Sequence, residues 1–179
     1  MITVISGPMF SGKTEFLLHE LEEDREANKN LRIDLFTPHT DKRYQTDSGF
    51  WEGYVCSRSG DKQKADVLKG FLDIIDCETV YIDEVWMMGA LFMKGLTNLS
   101  ERMEIVVTTL NCFASGEPVP GNDYLFAYAS KIYSMNNQCD FCKNPGEMTL
   151  DTKPADSNIR IGNDGYKGAC ISCWQEKKI

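Results

Sequence analysis

The chain has 179 residues, enough for one core domain and a small appendage. Its 42% hydrophobic and 26% charged residues are ordinary for a globular protein. The 19 Lys and Arg against 27 Asp and Glu leave a formal charge of −8, which disfavours duplex nucleic acid as a partner, since phosphate contacts carry that affinity. No apolar run approaches the ~18–20 residues of a membrane span, so no membrane partner is expected. The first motif begins at Gly7, which leaves no room for a secretory signal. Seven cysteines without a signal read as thiols or metal ligands, and the expected location is a cytosol.

In chain order, Met1 to Ile5 is a β-rich run. Gly7-Pro8-Met9-Phe10-Ser11-Gly12-Lys13-Thr14 follows, with the Gly-x₄-Gly-Lys-Thr spacing of a P-loop. Residues 14–27 read as a helix with Phe16, Leu17, Leu18 and Leu21 on its apolar side. Leu31 to Phe36 alternates as a strand, with a break expected at Thr37-Pro38. Residues 38–64 form a long polar loop containing His39, Arg43 and Arg58, with a short strand near Trp51, Tyr54 and Val55. Asp66 to Ile75 is expected to be helical, and Val80 to Val85 is an apolar strand ending in Asp83-Glu84. A helix is expected over Ala90–Leu99, and Glu104 to Leu110 reads as a buried parallel strand. Loop at Gly116–Gly121 and a helix over Asp123–Tyr133 follow. Strands alternating with helices imply an α/β fold with a parallel sheet. The composition shifts near residue 136. This predicts a nucleotide-binding domain over 1–135 and a cysteine-rich, zinc-binding tail over 136–179.

The P-loop carries the first chemistry. Its glycines let backbone N–H groups turn inward as a nest around phosphate oxygens, and the following helix presents its positive end to the same anion. Lys13 reaches the terminal phosphates of ATP, and the Thr14 hydroxyl is a ligand for Mg²⁺. Asp83 and Glu84 end an apolar strand, at the edge where open parallel sheets bind ligands. Asp83 is assigned to Mg²⁺ and Glu84 to the base that takes a proton from a hydroxyl, of substrate or of water. Arg43 and Arg58 are candidates for phosphate or hydroxyl contact. Met9, Trp86, Met87 and Met88 lie beside these motifs and are either core or the lining of a base pocket.

Cys139-x-x-Cys142 and Cys170-x-x-Cys173 supply two pairs of thiolates for a tetrahedral Cys₄ zinc site. Such a site has no open position, so the zinc is structural. The 27 residues between the knuckles must be extruded as a long loop. A redox role is disfavoured because there are two knuckles, and neither is expected to open a helix after a strand. Cys56, Cys77 and Cys112 read as packing residues.

Taken together, the chain resembles the type-II, zinc-containing thymidine kinases of bacteria and large DNA phages. The P-loop matches that family nearly letter for letter, and Pro38-His39-Thr40-Asp41-Lys42-Arg43-Tyr44 is similar to its Lys-Pro-x-x-Asp-x-Arg-Tyr stretch. Tyr81-Ile82-Asp83-Glu84 and the two knuckles, with Ile161, Gly162 and Tyr166 between them, complete the likeness. The resemblance implies a P-loop, RecA-like sheet with a zinc ribbon. It implies transfer of the γ-phosphate of ATP to the 5′-hydroxyl of thymidine or a related deoxynucleoside. Glu84 would be the base, and Arg43 would lie near the 5′ oxygen. Met9, Met87 and Phe113 would contact the nucleobase, under a lasso loop around Ile161, Gly162 and Tyr166. It further implies a homo-tetramer, in a bacterial cytosol or that of a phage-infected host.

Departures from the family cluster in one region. The family's Asp-Glu-Ala-Gln-Phe-Phe is here Asp83-Glu84-Val85-Trp86-Met87-Met88. Its Gly-Leu-Asp-x-Asp-Phe is here Thr109-Leu110-Asn111-Cys112-Phe113, and Asp151 stands where an Arg is usual. A reshaped base pocket is expected. A P-loop ATPase whose zinc ribbon grips DNA or a partner is the alternative reading.

Overall fold

The computed structural model describes residues 1–41, 53–153 and 165–178. Six parallel strands form the central sheet: β1 (Ile2–Gly7), β2 (Ile33–Pro38), β5 (Asp66–Leu68), β6 (Thr79–Ile82), β7 (Glu104–Leu110) and β8 (Lys131–Ser134). Their order is β5-β2-β6-β7-β1-β8. β7 lies between β6 and β1, with Ile105 opposite both Val80 and Ile2. The ends of β1, β6 and β7 therefore meet at one edge.

Side chains alternate across this sheet as strand geometry requires. Ile2, Val4, Val80, Ile82, Ile105 and Val107 face a core shared with α2 (Ala90–Leu99) and α3 (Asn122–Tyr128). Ile5, Leu35, Tyr81 and Val106 face the other way, onto Leu17, Leu18 and Leu21 of α1 (Lys13–Ala27). The result is a three-layer α/β arrangement. Tyr81 ties sheet to helix, its hydroxyl donating to Asp24 Oδ2 at 2.5 Å and Glu20 O at 3.2 Å. Burial, and then the Asp24 bond, push this phenol well above its ordinary pKa.

Four sequence expectations are corrected. β2 runs through Thr37 and Pro38, because Thr37 and Pro38 pair with Val67 and Leu68 at the end of the strand. Pro is tolerated at such a position, where its missing N–H is not needed. The helix expected over Asp66–Ile75 is β5 followed by a 3₁₀ turn at Phe71–Asp73. Asp73 Oδ2 accepts the N–H groups of Lys69 and Gly70 at 2.7 and 2.9 Å, a local side-chain bond that competes with a helix. The helix expected over Asp123–Tyr133 stops at Tyr128, and β8 extends the sheet beside β1. The second knuckle also differs, since Cys170 caps a helix, α4 (Ile171–Lys177), directly after β12 (Tyr166–Ala169).

A hairpin of β3 (Tyr54–Cys56) and β4 (Lys62–Lys64) lies beyond β2, as expected near Tyr54 and Val55. β9 (Asn137–Gln138) pairs with β10 (Pro145–Gly146), and β11 (Met148–Asp151) pairs with β12. Both are antiparallel. Among the described residues no helix is long and apolar enough to cross a membrane.

A buried polar link closes the core near the end of β7. Thr109 Oγ1 donates to Asn122 Oδ1 at 2.8 Å, and Asn122 Nδ2 donates to Leu110 O at 2.7 Å. Asn122→Ala leaves the buried Thr109 hydroxyl with only the long contact to Leu110 O at 3.4 Å and removes a donor from that carbonyl, and is expected to cost about 2 kcal/mol. Urea unfolding with an unchanged m-value checks this. A loss under about 0.5 kcal/mol would show the link to be dispensable.

Candidate active site

The P-loop connects the end of β1 to α1. Gly7 is required by space, because a Cβ there would lie 2.5 Å from Met135 O and 2.8 Å from Ser11 Oγ. Gly12 is required by conformation, with φ of 83°. Phe10 also takes a left-handed φ of 66°, and the Arg58 guanidinium stacks 4.7 Å from its ring centroid. Arg58 thus lies against the loop that sequence reasoning had given phosphates.

Lys13 is 5% exposed, and its Nζ donates to Gly7 O at 3.1 Å and Pro8 O at 2.9 Å. Ser11 Oγ is buried with no hydrogen-bond partner among the described residues. A buried cation and a buried orphan hydroxyl in one loop are what an anion would satisfy. A cavity of about 730 Å³ adjoins Ser11 and Gly12, between α1 and the β3–β4 hairpin. Phe16, His19, Lys62 and Gln63 are among its lining residues. His19 is no deeper than expected: it is exposed and pairs with Glu23 at 3.6 Å.

The two acids sit beyond the end of β6. Asp83 is 1% exposed and is held from two sides. Thr14 Oγ1 lies 3.2 and 3.3 Å from its two oxygens, and Thr108 Oγ1 donates to Oδ1 at 2.7 Å. The same Thr108 hydroxyl accepts the Glu84 N–H at 2.7 Å. Glu84 has φ of 51° and ψ of 44°, a conformation costing a non-glycine residue about 1–2 kcal/mol. A hydroxyl and a carboxyl this close are a donor set suited to Mg²⁺. Trp86 Nε1 donates to Glu84 Oε2 at 2.5 Å, and Trp86 packs edge-on to Phe113 with centroids 5.8 Å apart.

The cysteine tail docks onto the P-loop. Met9 N donates to Thr149 Oγ1 at 2.9 Å, and Asn137 Nδ2 donates to Met9 O at 2.9 Å and Met148 O at 3.2 Å. Asn111 Nδ2 donates to Glu147 O at 2.7 Å, and Trp174 Nε1 to Ala114 O at 3.1 Å. Cys112 Sγ lies 3.8 Å from Met148 Sδ. So Met9, Cys112 and the β11 strand share one region. Met87 stands near Thr40, whose hydroxyl donates to Met87 O at 3.2 Å. Tyr166 opens β12 opposite Asp151. Arg43, Ile161 and Gly162 lie outside the described residues.

Sequence reasoning missed Thr108, Thr149, Asn137 and the bond from Trp86. Thr108 had a weak signal, as half of a Thr-Thr pair in an otherwise apolar strand. Thr149 and Asn137 bond to Met9 across more than a hundred residues and had none, and the Trp86 bond, though it spans two residues, depends on the 3₁₀ turn that folds the indole back.

The four Sγ atoms of Cys139, Cys142, Cys170 and Cys173 all lie within 4.8 Å of one another, and Cys142 and Cys170 are 3.7 Å apart. A tetrahedron of ~2.3 Å Zn–S bonds has edges of ~3.8 Å, so the cluster fits zinc. The first knuckle closes through Lys143, whose φ is 67° and whose N–H donates to Cys139 O at 3.0 Å. Asp140 Oδ2 accepts the Gly168 N–H at 2.9 Å and joins the two knuckles. Burial opposes ionisation of Cys139, but hydrogen bonding from the Cys170, Cys142 and Phe141 backbone outweighs it and holds the thiol down to about 6. The bond with Cys170, then burial, push Cys173 up to about 12. The pair formed by Cys170 and the start of α4 does not restore a redox reading, because all four sulfurs converge. Metal analysis is expected to give about one zinc per chain, and Cys142→Ser to reduce it several-fold. Four thiols that react freely with a thiol reagent before chelation would reject the site.

Comparison with known proteins agrees with this geometry. The family model described as thymidine kinase matches residues 1–174. A protein named thymidine kinase from Chloroflexus aurantiacus strain J-10-fl is 32% identical over 189 residues, spanning 97% of this chain and 94% of that protein. The same holds for the protein of that name from strain Y-400-fl. A thymidine kinase from Mesoplasma florum is 26% identical over 200 residues, covering 99% and 92% of the two chains. The matched span includes the P-loop, the acid pair and all four cysteines, and this chain belongs to the thymidine kinase family.

Proposed function

We propose that the protein is a deoxynucleoside kinase that transfers the γ-phosphate of ATP to the 5′-hydroxyl of thymidine or a related deoxypyrimidine nucleoside. The observation that carries this reading is the link from Thr14 through Asp83 and Thr108 to Glu84. It joins the phosphate-binding loop to a second acid at the same sheet edge. A donor site and an acceptor base are thereby a few ångströms of bonded contacts apart.

Residues divide by role. The P-loop backbone over residues 7–14, with Lys13 and the Ser11 hydroxyl, holds the donor phosphates. Thr14 and Asp83 would hold Mg²⁺. When bound, that ion neutralises charge developing on the transferred phosphoryl group. Glu84 accepts the 5′-hydroxyl proton on a carboxylate oxygen as the new O–P bond forms and the bond to the leaving diphosphate breaks. The cavity beside α1 suits the nucleoside end of the donor. Met9, Met87, Phe113 and Tyr166 are assigned to the acceptor base. Arg43, Ile161 and Gly162 keep the roles given by resemblance. Residues 1–135 form the catalytic domain, and 136–179 a zinc-stabilised domain. Assembly as a homo-oligomer belongs to the same reading.

The test is ADP release with Mg-ATP against thymidine, deoxyuridine and its 5-substituted forms, deoxycytidine and the purine deoxynucleosides. Turnover confined to one pyrimidine class is expected. Glu84→Gln should lower it about 10²–10⁴-fold while ATP affinity stays within about twofold. ADP release indifferent to every nucleoside would overturn the kinase reading.

A further inference from the structure

Trp86 stands two residues after the candidate base, on the 3₁₀ turn Val85–Met88. The turn is closed by Met87 N to Glu84 O at 3.0 Å and Gly89 N to Trp86 O at 3.1 Å. It folds the indole back over Glu84, so that Nε1 lies 2.5 Å from Oε2. The indole is itself fixed. It packs against the core beneath α2 and meets Phe113 edge-on at an interplanar angle of 75°.

An indole N–H can only donate, and the half-buried Trp86 spends its one donor on Glu84. The terminal torsion of a Glu side chain is broad and sets no carboxylate plane by itself. A short bond to a negatively charged oxygen does set it. Among the described residues Glu84 is held at its backbone N–H by Thr108 and at its carboxylate by Trp86. With Oε2 engaged, the planar group can turn little, and the direction of Oε1 follows.

We propose that Trp86 is a positioning residue for phosphoryl transfer: its indole N–H, braced by Phe113, holds the Glu84 carboxylate in the orientation that meets the acceptor hydroxyl. The inference rests on Glu84 being the base. It gives a purpose to the Trp found where the resembled family has Gln. A packing role alone would require the ring but not the N–H.

Trp86→Phe keeps an aromatic ring against Phe113 and removes the donor. It is expected to lower kcat about tenfold, the effect of one charge-assisted hydrogen bond, with KM for ATP and nucleoside within about threefold. 3-Benzothienylalanine at position 86 keeps both rings, lacks the N–H and should show the same loss. The decisive comparison is the cycle with Glu84→Gln. In that background Trp86→Phe should change the residual rate less than about twofold, because Trp86 acts through the carboxylate. An equal loss in both backgrounds would make Trp86 a packing residue and overturn the inference. So would unchanged kcat in both N–H-free variants, with Glu84→Gln still inactive; the base reading would then survive alone. Full turnover in Glu84→Gln would overturn the base reading and this inference with it.

Discussion

Asp83 is a carboxyl group taken almost wholly out of water at the edge of an apolar sheet. Such a group is tolerated only with dedicated partners. Among the described residues two hydroxyls serve it, one from the first turn of α1 and one from β7. That requirement fixes much else. β7 must lie between the P-loop strand and the acid strand, as the order β2-β6-β7-β1 provides. Thr108 must point to the edge, where it also takes the Glu84 N–H. Glu84 is then held in a left-handed conformation that an isolated chain would avoid. The left-handed conformation lies where two adjacent acids turn in different directions, as their proposed separate roles would require.

The same edge explains why the cysteine tail is attached where it is. The P-loop presents Met9 N–H and C=O outward, and Thr149 and Asn137 receive them. Both residues lie close in sequence to the first knuckle, and the knuckles are joined by Asp140 and the four thiols. A metal that orders the knuckles therefore orders a partner of the phosphate loop. A zinc ion held by the four cysteines would contribute folding free energy to the contact with the P-loop.

Legibility followed sequence separation. The P-loop, the acid pair and each knuckle are local patterns, and each was readable because a few consecutive residues carry the whole geometry. β7 was readable to the residue because its apolar run is bounded on both sides. The errors fell where local and long-range forces compete. Asp66–Leu68 and Lys131–Ser134 have helix-compatible composition, yet each has a free strand edge beside it in β2 or β1. Ladder bonds and burial there outweigh propensity, which is worth only tenths of a kcal/mol per residue. Thr149 and Asn137 were unreadable, and Thr108 only faintly readable, for a related reason, since each bonds to a residue 24 or more positions away.

This asymmetry separates the two halves of the site. The donor half is one continuous segment plus Asp83, so its chemistry is written in a single motif. The acceptor half, as proposed, would be assembled from the 86–88 turn, Cys112 and Phe113 after β7, and Met148 and Thr149 of the tail, with Trp86 against Phe113 and Cys112 against Met148. No backbone bond of the donor half depends on which side chains fill positions 86, 87, 88 or 112. Those side chains can therefore change shape while these backbone bonds persist, and several of the departures from the resembled family fall on them, though Asn111 and Asp151 lie outside this set. Trp86 is where the halves meet. Its indole packs edge-on to Phe113, and its N–H holds the Glu84 carboxylate, the proposed base. A residue so placed ties the shape of the base pocket to the orientation of the base, so selection of a nucleoside and alignment for transfer become one adjustment.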